Sequence, residues 1–291
     1  MRKINIGAGP TWREEGWELL DNGTGSYSEP WKHKGKCWDT NLPSNTYDIV
    51  FTSHMLEHVP HFRIEKTISE FNRVMKTGGT LRILVPSLRK YATAYVNGDL
   101  GYFSGSRHYS DHLGIGGSFM RMMISPGQQT VAMSREMDEI FGGYAHLAAY
   151  DFEMMKALLE KWGFGEVRES EPGQSAIPEL RTLQHLVHDG QKIDRSDRFV
   201  KEKTFMKTGK PWHFGGFDKS SVTQLAVEAK KLRDEPYAYE KEWEFNKRAR
   251  FGGPLDNLKL SIFRVVSSGV DGSYNLASKL GLLSALRAFR R

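Results

Sequence analysis

Two apolar segments separated by one amphipathic helix constrain the fold of this chain more than any other feature. The run "YDIVFTS" (residues 47–53) is apolar without alternation, which is typical of a strand buried on both faces. The helix after it carries its apolar residues on one face: Ile64, Ile68, Phe71 and Met75. We expect Gly78-Gly79 to end this helix and residues 80–86 to form a second buried strand. Strand, helix and strand in this order predict two parallel strands.

Shorter runs on either side extend the alternation of strands and helices. We predict a strand that runs into the turn Gly7-Ala8-Gly9-Pro10, and further strands at 17–21, 36–39, 166–171 and 221–229. A second amphipathic helix is indicated by the spacing of Phe152, Met155, Leu159 and Trp162. The alternation predicts an α/β protein in which helices cover both faces of a mostly parallel sheet.

Composition favours a cytoplasmic protein. The single cysteine, Cys37, cannot form an intramolecular disulfide, which fits a reducing compartment. No apolar run approaches the 18 residues of a membrane-spanning helix, and "MRKINIGAGP" lacks the apolar region of a secretory signal.

The residues that follow each predicted strand are the ones expected to bind a ligand, because open α/β sheets bind ligands beyond the carboxyl ends of their strands. Gly7 and Gly9 would let a ligand approach the backbone closely. Asp21 could accept two hydrogen bonds from a ribose diol, and Asp39 could accept one from an exocyclic amine. Each signal is weak alone, and their order along the chain carries the prediction.

Five stretches resemble the successive signatures of class I S-adenosylmethionine-dependent methyltransferases, with the type 11, predicted small-molecule branch as the closest subgroup. These stretches are INIGAGP, GWELLD, YDIVFTSHMLEHV, FNRVMKTGGTLRILVPSL and YDFEMMKALLEKWGF. The resemblance covers roughly residues 3–231. It implies a Rossmann-like sheet of seven strands with the last strand antiparallel, S-adenosylmethionine as the cofactor, and methyl transfer as the reaction.

The resemblance also implies which residues bind the cofactor. They are Gly7, Ala8, Gly9, Asp21, Trp38, Asp39, Ser53 and His54. The glycine turn would line the methionine and ribose parts, the first acid would hold the ribose hydroxyls, and the second acid would sit at the adenine. The serine and the histidine would lie beneath the methionine part and face the acceptor.

Two departures from the family pattern concern the glycine turn. Pro10 and Thr11 stand where a third glycine is usual, and only 11 residues separate Gly9 from Asp21. That spacing is too short for a full crossover helix and a strand. We therefore expect a stub helix and a more open cofactor pocket.

Histidine is the natural general base for a hydroxyl or amine acceptor, since its pKa lies near neutrality. His54, at the end of the fourth strand, is the best-placed candidate, followed by His58; the alternative for His58 is that Glu57 and His58 cap and anchor the next helix.

A metal site is a further alternative, with His54, Glu57 and His58 joined by one of His108, His112 and His146. Many relatives with this stretch need no metal, so the resemblance assigns none.

An insertion at about residues 88–150 is expected to be a lid over the acceptor, because long irregular segments in compact domains are commonly lids. His146 is the lid residue we favour for catalysis. Other lid residues could bind the acceptor or form the lid's own core: Tyr91, Arg107, His108, Tyr109, His112 and Tyr144.

The rest of the chain divides into a polar insertion and a basic extension. The insertion, about residues 186–217, mixes acidic and basic residues, which disfavours nucleic-acid binding. We place the methyltransferase domain at 1–231 and a helical extension at 232–291, where 11 Lys/Arg stand against 7 Asp/Glu. Its end, 274–291, predicts a basic amphipathic helix that could pack on its own domain, on a second copy or on an anionic membrane.

Three functions therefore remain open. The first is O- or N-methylation of a small-molecule or sugar acceptor. The second is methylation of RNA or protein, using the basic extension. The third is a non-catalytic assembly role that keeps the fold; the presence of acids at both Asp21 and Asp39 counts against it.

Overall fold

The computed structural model describes residues 1–9, 11–22, 30–104, 113–123, 146–193, 212–218 and 222–238. The chain divides into two compact units, Met1–Tyr237 and Ala238–Arg291. All of the second unit except Ala238 lies outside the described residues, and so does the predicted helix at 274–291.

The described residues form ten strands and five α-helices. The strands are β1 (Lys3–Ile6), β2 (Glu18–Asp21), β3 (Lys32–Lys34), β4 (Tyr47–Ser53), β5 (Met75–Pro86), β6 (Phe164–Ser170), β7 (His185–His188), β8 (Gln191–Ile193), β9 (Trp212–Gly215) and β10 (Gln224–Lys231). The helices are α1 (His61–Val74), α2 (Leu88–Val96), α3 (Leu100–Ser104), α4 (Gly114–Met123) and α5 (Phe152–Lys161). Two short 3-10 helices span Leu56–His58 and Pro178–Arg181.

Seven strands form one large sheet in the order β3-β2-β1-β4-β5-β10-β6. Strand β1 pairs in parallel with β2 and β4, and β4 pairs in parallel with β5. The last strand, β10, lies antiparallel between β5 and β6. This confirms the predicted Rossmann-like sheet of seven strands, with one antiparallel strand that comes last in the chain.

The third strand was predicted wrongly. It is Lys32–Lys34, which pairs with β2 at the edge of the sheet. Residues 36–39 instead form a turn in which the Asp39 N–H donates to the Lys36 carbonyl over 3.0 Å. An edge strand exposes its side chains to water, so "KHK" carries no apolar pattern that sequence reasoning could detect.

Two helix predictions also need correction. Helix α1 ends at Val74, because Met75 pairs with Tyr47 and so begins β5. The register of this pairing shifts between Tyr47 and Ile49, and Gly78 with φ +82° lies in the resulting irregularity of the strand. Residues 11–17, where we expected a stub helix, form turns without a helix.

Helices α1 and α5 cover the first face of the large sheet. Their apolar residues pack on strand residues that point to this face. The helix residues are Ile64, Ile68, Phe71, Met155 and Leu159, and the strand residues are Ile4, Ile6, Val50, Leu81, Ile83, Val85, Leu225 and Val227. All of these side chains are buried. Because burial of apolar surface stabilises a fold by about 25 cal/mol per Å², this layer is the main source of stability.

The second face is covered by aromatic side chains and by the 3-10 helix Pro178–Arg181, whose Leu180 is buried there. Trp17, Phe51 and Phe217 pack edge-on or tilted, with ring centroids 4.8–6.4 Å apart. Beyond them lies a buried charge cluster in which Arg82 contacts Asp218 and Glu228. Successive side chains along β5 point to alternate faces of the sheet, so Arg82 and Leu84 lie on the face opposite to Ile83. This alternation places Arg82 in the charge cluster.

Two smaller assemblies complete the described unit. The polar insertion contributes a three-stranded antiparallel sheet in the order β8-β7-β9. Helices α2, α3 and α4, from the predicted lid, share a core of Tyr91, Ala94, Phe103, Met122 and Met123. Among the described residues, no helix has the length and apolar character needed to cross a bilayer.

Candidate active site

Three adjacent strand ends bring most of the predicted cofactor residues to one edge of the large sheet. Because β2, β1 and β4 are parallel neighbours, their ends at Asp21, the glycine turn and Ser53 lie at the same edge. The Gly9 N–H donates to Asp21 Oδ2 over 2.8 Å, and the Gly7 N–H donates to the Leu20 carbonyl over 2.8 Å. The first acid is therefore held directly against the glycine turn.

The glycine turn has the conformation that glycine favours. Gly7 and Gly9 adopt φ of +79° and +76°. A Cβ on Gly7 would stand 2.2 Å from Cγ of Met55, so this turn packs against the residue that follows His54. A Cβ on Gly9 would meet no atom within 4 Å. The backbone at Gly9 is thus open to the close approach of a ligand.

Ser53, at the end of β4, adds a polar group to the same edge. Its Oγ is buried and has no hydrogen-bond partner in the part of the chain that the structure describes. Such a group calls for an explanation, because buried hydroxyls are ordinarily paired. Together with the open backbone at Gly9, it fits a site built to hold a polar ligand at the carboxyl ends of the strands.

Trp38 and Asp39 lie on the turn after β3 rather than at the end of a strand. Asp39 is exposed. Trp38 packs partly against the core, with the Lys36 ammonium 5.5 Å and the Arg63 guanidinium 5.9 Å from its ring centroid. The neighbouring Cys37 is buried, and burial raises the pKa of its thiol to about 12, so it is no nucleophile.

His54 follows β4 in a strained conformation. Its φ of +55° lies in the left-handed region, which costs a non-glycine residue about 1 kcal/mol or more. Its ring Nδ1 lies 2.9 Å from Oε1 of Glu57. The 3-10 helix spans only Leu56–His58, so His54 lies outside it. The left-handed turn brings it to Glu57 instead.

Glu57 is the central acid of this site; the sequence named it as a helix anchor or a metal ligand but did not predict its pairing with His54. Its side chain is fully buried, and apart from His54 no described donor reaches either carboxylate oxygen. Burial alone would raise the pKa of Glu57, but the charges of His54, His58 and His146 and the hydrogen bond from His54 lower it to about 2. The carboxylate is therefore ionised at neutral pH.

The structure brings His58 and His146 together, although 88 positions separate them. Their ring centroids are 4.9 Å apart at an interplanar angle of 69°. Nδ1 of His146 lies 2.8 Å from the Met122 carbonyl oxygen. One ligand atom from each of Glu57, His58 and His146 lies within 4.8 Å of the others, so these residues could hold a metal ion.

Hydrogen bonds clamp the segment before α5 onto the 3-10 helix. The N–H groups of Leu147 and Ala148 both donate to the Glu57 carbonyl, over 2.6 and 3.3 Å. The Tyr150 hydroxyl donates to the Leu56 carbonyl over 3.3 Å. These contacts fix His146 beside Glu57. No local pattern in the sequence could have predicted them, because they join two distant segments.

The other lid candidates divide into two groups. Tyr91 is buried in the core that α2, α3 and α4 share, and burial raises the pKa of its hydroxyl to about 12. This supports the alternative that it is a packing residue. The remaining candidates lie outside the described residues: Arg107, His108, Tyr109, His112 and Tyr144.

Comparison with known proteins yields one family match. Residues 22–83 match the family model described as "Methyltransferase domain", in its type 11 form. The matched segment runs from the end of β2 into β5 and includes His54, Glu57 and His58. No curated protein sequence matches the chain.

Several solved structures are similar to this chain. A methyltransferase of Thermotoga maritima, titled a possible histamine N-methyltransferase, is 13% identical, with a TM-score of 0.36 over 79% of this chain and 82% of its own. One from Archaeoglobus fulgidus is 18% identical, with a TM-score of 0.38 over 79% and 86%. Phosphoethanolamine N-methyltransferase 2 of Haemonchus contortus, solved with S-adenosyl-L-methionine, is 12% identical, with a TM-score of 0.39 over 80% of this chain and 49% of its own.

The sheet order and the site define the class of protein. A seven-stranded sheet with its last strand antiparallel, and a glycine turn and an acid after its first two strands, are the features of a nucleotide-binding α/β enzyme of the methyltransferase type. Together with the match of residues 22–83, these features support an S-adenosylmethionine-dependent methyltransferase with S-adenosylmethionine as its cofactor.

Proposed function

We propose that this chain methylates an O or N atom of a small-molecule acceptor, with His54 as the general base. The observation that carries the proposal is the pair formed by His54 and Glu57 at the end of β4. A histidine held in a strained turn by a buried carboxylate, beside the glycine turn, is arranged for chemistry rather than for stability.

The residues at the sheet edge suit the cofactor. When bound, S-adenosylmethionine supplies a methyl group already activated on a sulfonium, so positioning is most of what the protein must add. Gly7–Gly9 would bring their backbone close to it, Asp21 would accept hydrogen bonds from its ribose, and Ser53 would offer its hydroxyl. Trp38 and Asp39 would contact the adenine from the turn after β3.

His54 would take the proton that the acceptor loses. An ionised Glu57 can accept hydrogen bonds but cannot donate them, so the Nδ1 of His54, which faces it, carries a proton. Nε2 is then the nitrogen that can act as a base. The same contact would stabilise the imidazolium that forms. Our other catalytic candidates, His58 and His146, lie near Glu57 in the 3-10 helix and in the segment before α5. We give the base role to His54 because it directly follows β4, next to Met55, which packs against the glycine turn.

A small acceptor is supported by the arrangement of the lid. Helix α2 begins directly after β5, where the Ser87 side chain accepts from the Lys90 N–H, and Ser87 also pairs with Tyr150. The helices of the lid have their own buried core. These helices begin at the edge of the sheet to which we assign the cofactor, a position that suits a cover over a small acceptor, since small-molecule sites generally enclose their ligands.

Calorimetric titration with S-adenosylmethionine and S-adenosylhomocysteine would test the cofactor residues. We expect micromolar binding that Asp21→Ala weakens at least tenfold. Asp48→Ala is the matched control, because Asp48 lies at the opposite end of β4 and pairs with Lys76. Equal binding by Asp21→Ala and wild type would remove Asp21 from the site.

The acceptor class and the base are tested by transfer of labelled methyl groups into a metabolite extract, with RNA and protein fractions alongside. Label in the low-molecular-weight fraction would support the proposal, and label only in RNA or protein would overturn it. With an acceptor in hand, His54→Ala should lower turnover by about 100-fold or more, beyond any change in cofactor affinity. Unchanged turnover would exclude His54 as the base.

A further inference from the structure

We propose that Glu57, His58 and His146 form a binding site for a divalent transition-metal ion, with Zn²⁺ as the best fit. One ligand atom from each residue lies within 4.8 Å of the others, a spacing from which a single ion could contact all three. The proposal stands independently of methyl transfer, since it concerns which ion the chain binds.

The buried carboxylate is the first argument. Glu57 is fully buried, and apart from His54 no donor in the described part of the chain reaches its oxygens. A buried charge without full compensation is costly, and coordination of a metal is one of the few ways to offset it. The ion pair with His54 uses Oε1, so the second oxygen remains for an ion.

The tautomer of His146 is the second argument. A backbone carbonyl can only accept, so the contact of 2.8 Å between His146 Nδ1 and the Met122 oxygen places the proton on Nδ1. Nε2 is then the nitrogen able to bind a metal. Metal-binding histidines ordinarily donate their other N–H to a carbonyl or carboxylate in this way, which fixes the ring for coordination.

The rigidity of the cluster is the third argument. Glu57 and His58 belong to one 3-10 helix, and the N–H groups of Leu147 and Ala148 bond to the Glu57 carbonyl immediately after His146. The three ligands are thereby held by backbone contacts before any ion binds. Such an ion would connect the segment before α5 with the 3-10 helix that follows β4.

The chemistry of the ligands selects the ion. Two imidazoles and one carboxylate suit zinc, whereas magnesium and calcium prefer oxygen ligands alone. Three protein ligands also leave a coordination position for water or for an atom of a bound molecule, as in zinc sites of the open type.

Calorimetric titration of the full chain with ZnCl₂ tests the proposal, using protein made without a histidine tag and freed of metal by a chelator. We expect one Zn²⁺ per chain, bound at least tenfold more weakly by Glu57→Gln and by His146→Gln. The control is His61→Ala, since His61 is exposed three positions after His58 and should not alter the affinity.

Thermal unfolding gives a second readout. Zn²⁺ should raise the Tm of wild type and of His61→Ala, and should not raise that of His146→Gln. Should Glu57→Gln fail to fold, His146→Gln alone decides, because it keeps the buried carboxylate. Absence of Zn²⁺ binding by wild type, or equal binding by a folded His146→Gln, would overturn the proposal. Neither measurement requires cofactor or acceptor, so failure here leaves the proposed function untouched.

Discussion

The backbone N–H of Gly9 donates a hydrogen bond of 2.8 Å to the carboxylate of Asp21, which links the ends of β1 and β2. Gly9 itself has a φ of +76°, and a Cβ there would meet no protein atom within 4 Å. The turn is thus held by an acid on one side and open on the other. A ligand that enters the open side would contact both the backbone of the turn and the acid that holds it.

Gly9→Ala should therefore weaken cofactor binding more than it weakens the fold. The positive φ costs alanine about 1–2 kcal/mol, while the added methyl group would occupy the space that the cofactor needs. We expect at least a tenfold loss of S-adenosylhomocysteine affinity in calorimetry. Gly98→Ala is the control, since Gly98 also has a positive φ, +65°, and open space but follows α2. Equal affinity in both variants would contradict a cofactor at Gly9.

Ser53 offers a second comparison of binding with stability. Its Oγ and that of Thr52 are both buried without a partner in the described residues, but alternation along β4 points them to opposite faces. We expect Ser53→Ala to lower cofactor affinity about fivefold to tenfold, the value of about one hydrogen bond, with no loss of stability. Thr52→Val should leave the affinity unchanged. Titration calorimetry of both variants would check this, and a larger effect from Thr52→Val would place the site on the other face.

The sequence was sufficient to predict the parts of the fold that are deeply buried. Strand β4 was found from its continuous apolar run, and helix α1 from the helical period of its apolar residues. The edge strand β3 was missed because its side chains are polar and at most partly buried. The end of α1 was misplaced because the pairing of Met75 with Tyr47, a tertiary contact, overrides the local glycine signal.

The candidate site shows the same division. The positions of Asp21 and His54 could be predicted because they lie at or directly after strand ends, and the sheet order brings strand ends together. The pairing of Glu57 with His54 could not, because it depends on a left-handed turn at His54 and on hydrogen bonds from Leu147 and Ala148. Contacts between segments that are distant in the chain leave no local pattern.

The buried charges on the second face of the sheet predict a large difference between two arginines. Arg82 is fully buried against Asp218 and Glu228, whereas the side chain of Arg168, which also pairs with Glu228, is 54% exposed. Arg82→Met should destabilise the protein by about 3–5 kcal/mol, because it removes the buried cation that Asp218 and Glu228 both contact. Arg168→Met should cost about 1 kcal/mol or less. Urea unfolding of both variants measures this, and similar losses would contradict the structure.

Glu228 makes part of this stability depend on pH. Burial would raise the pKa of its carboxyl, but hydrogen bonds from Ser175 and Arg168 and the charge of Arg82 lower it below the usual 4.5. A carboxyl whose pKa is lower in the folded state than in the unfolded chain stabilises the fold above the unfolded pKa. That contribution is lost as the pH falls through the folded pKa.

Unfolding free energies measured from pH 7 down to pH 3 should therefore separate wild type from Glu228→Gln. Wild type should be the more stable protein at pH 7, and its advantage should shrink as the pH falls below about 4.5, because the glutamine cannot titrate. Glu179→Gln is a control, because Glu179 is a partly exposed acid that pairs with Lys3 on the same unit. A difference between wild type and Glu228→Gln that stays constant across this range would show that Glu228 contributes by packing and hydrogen bonding rather than by its charge.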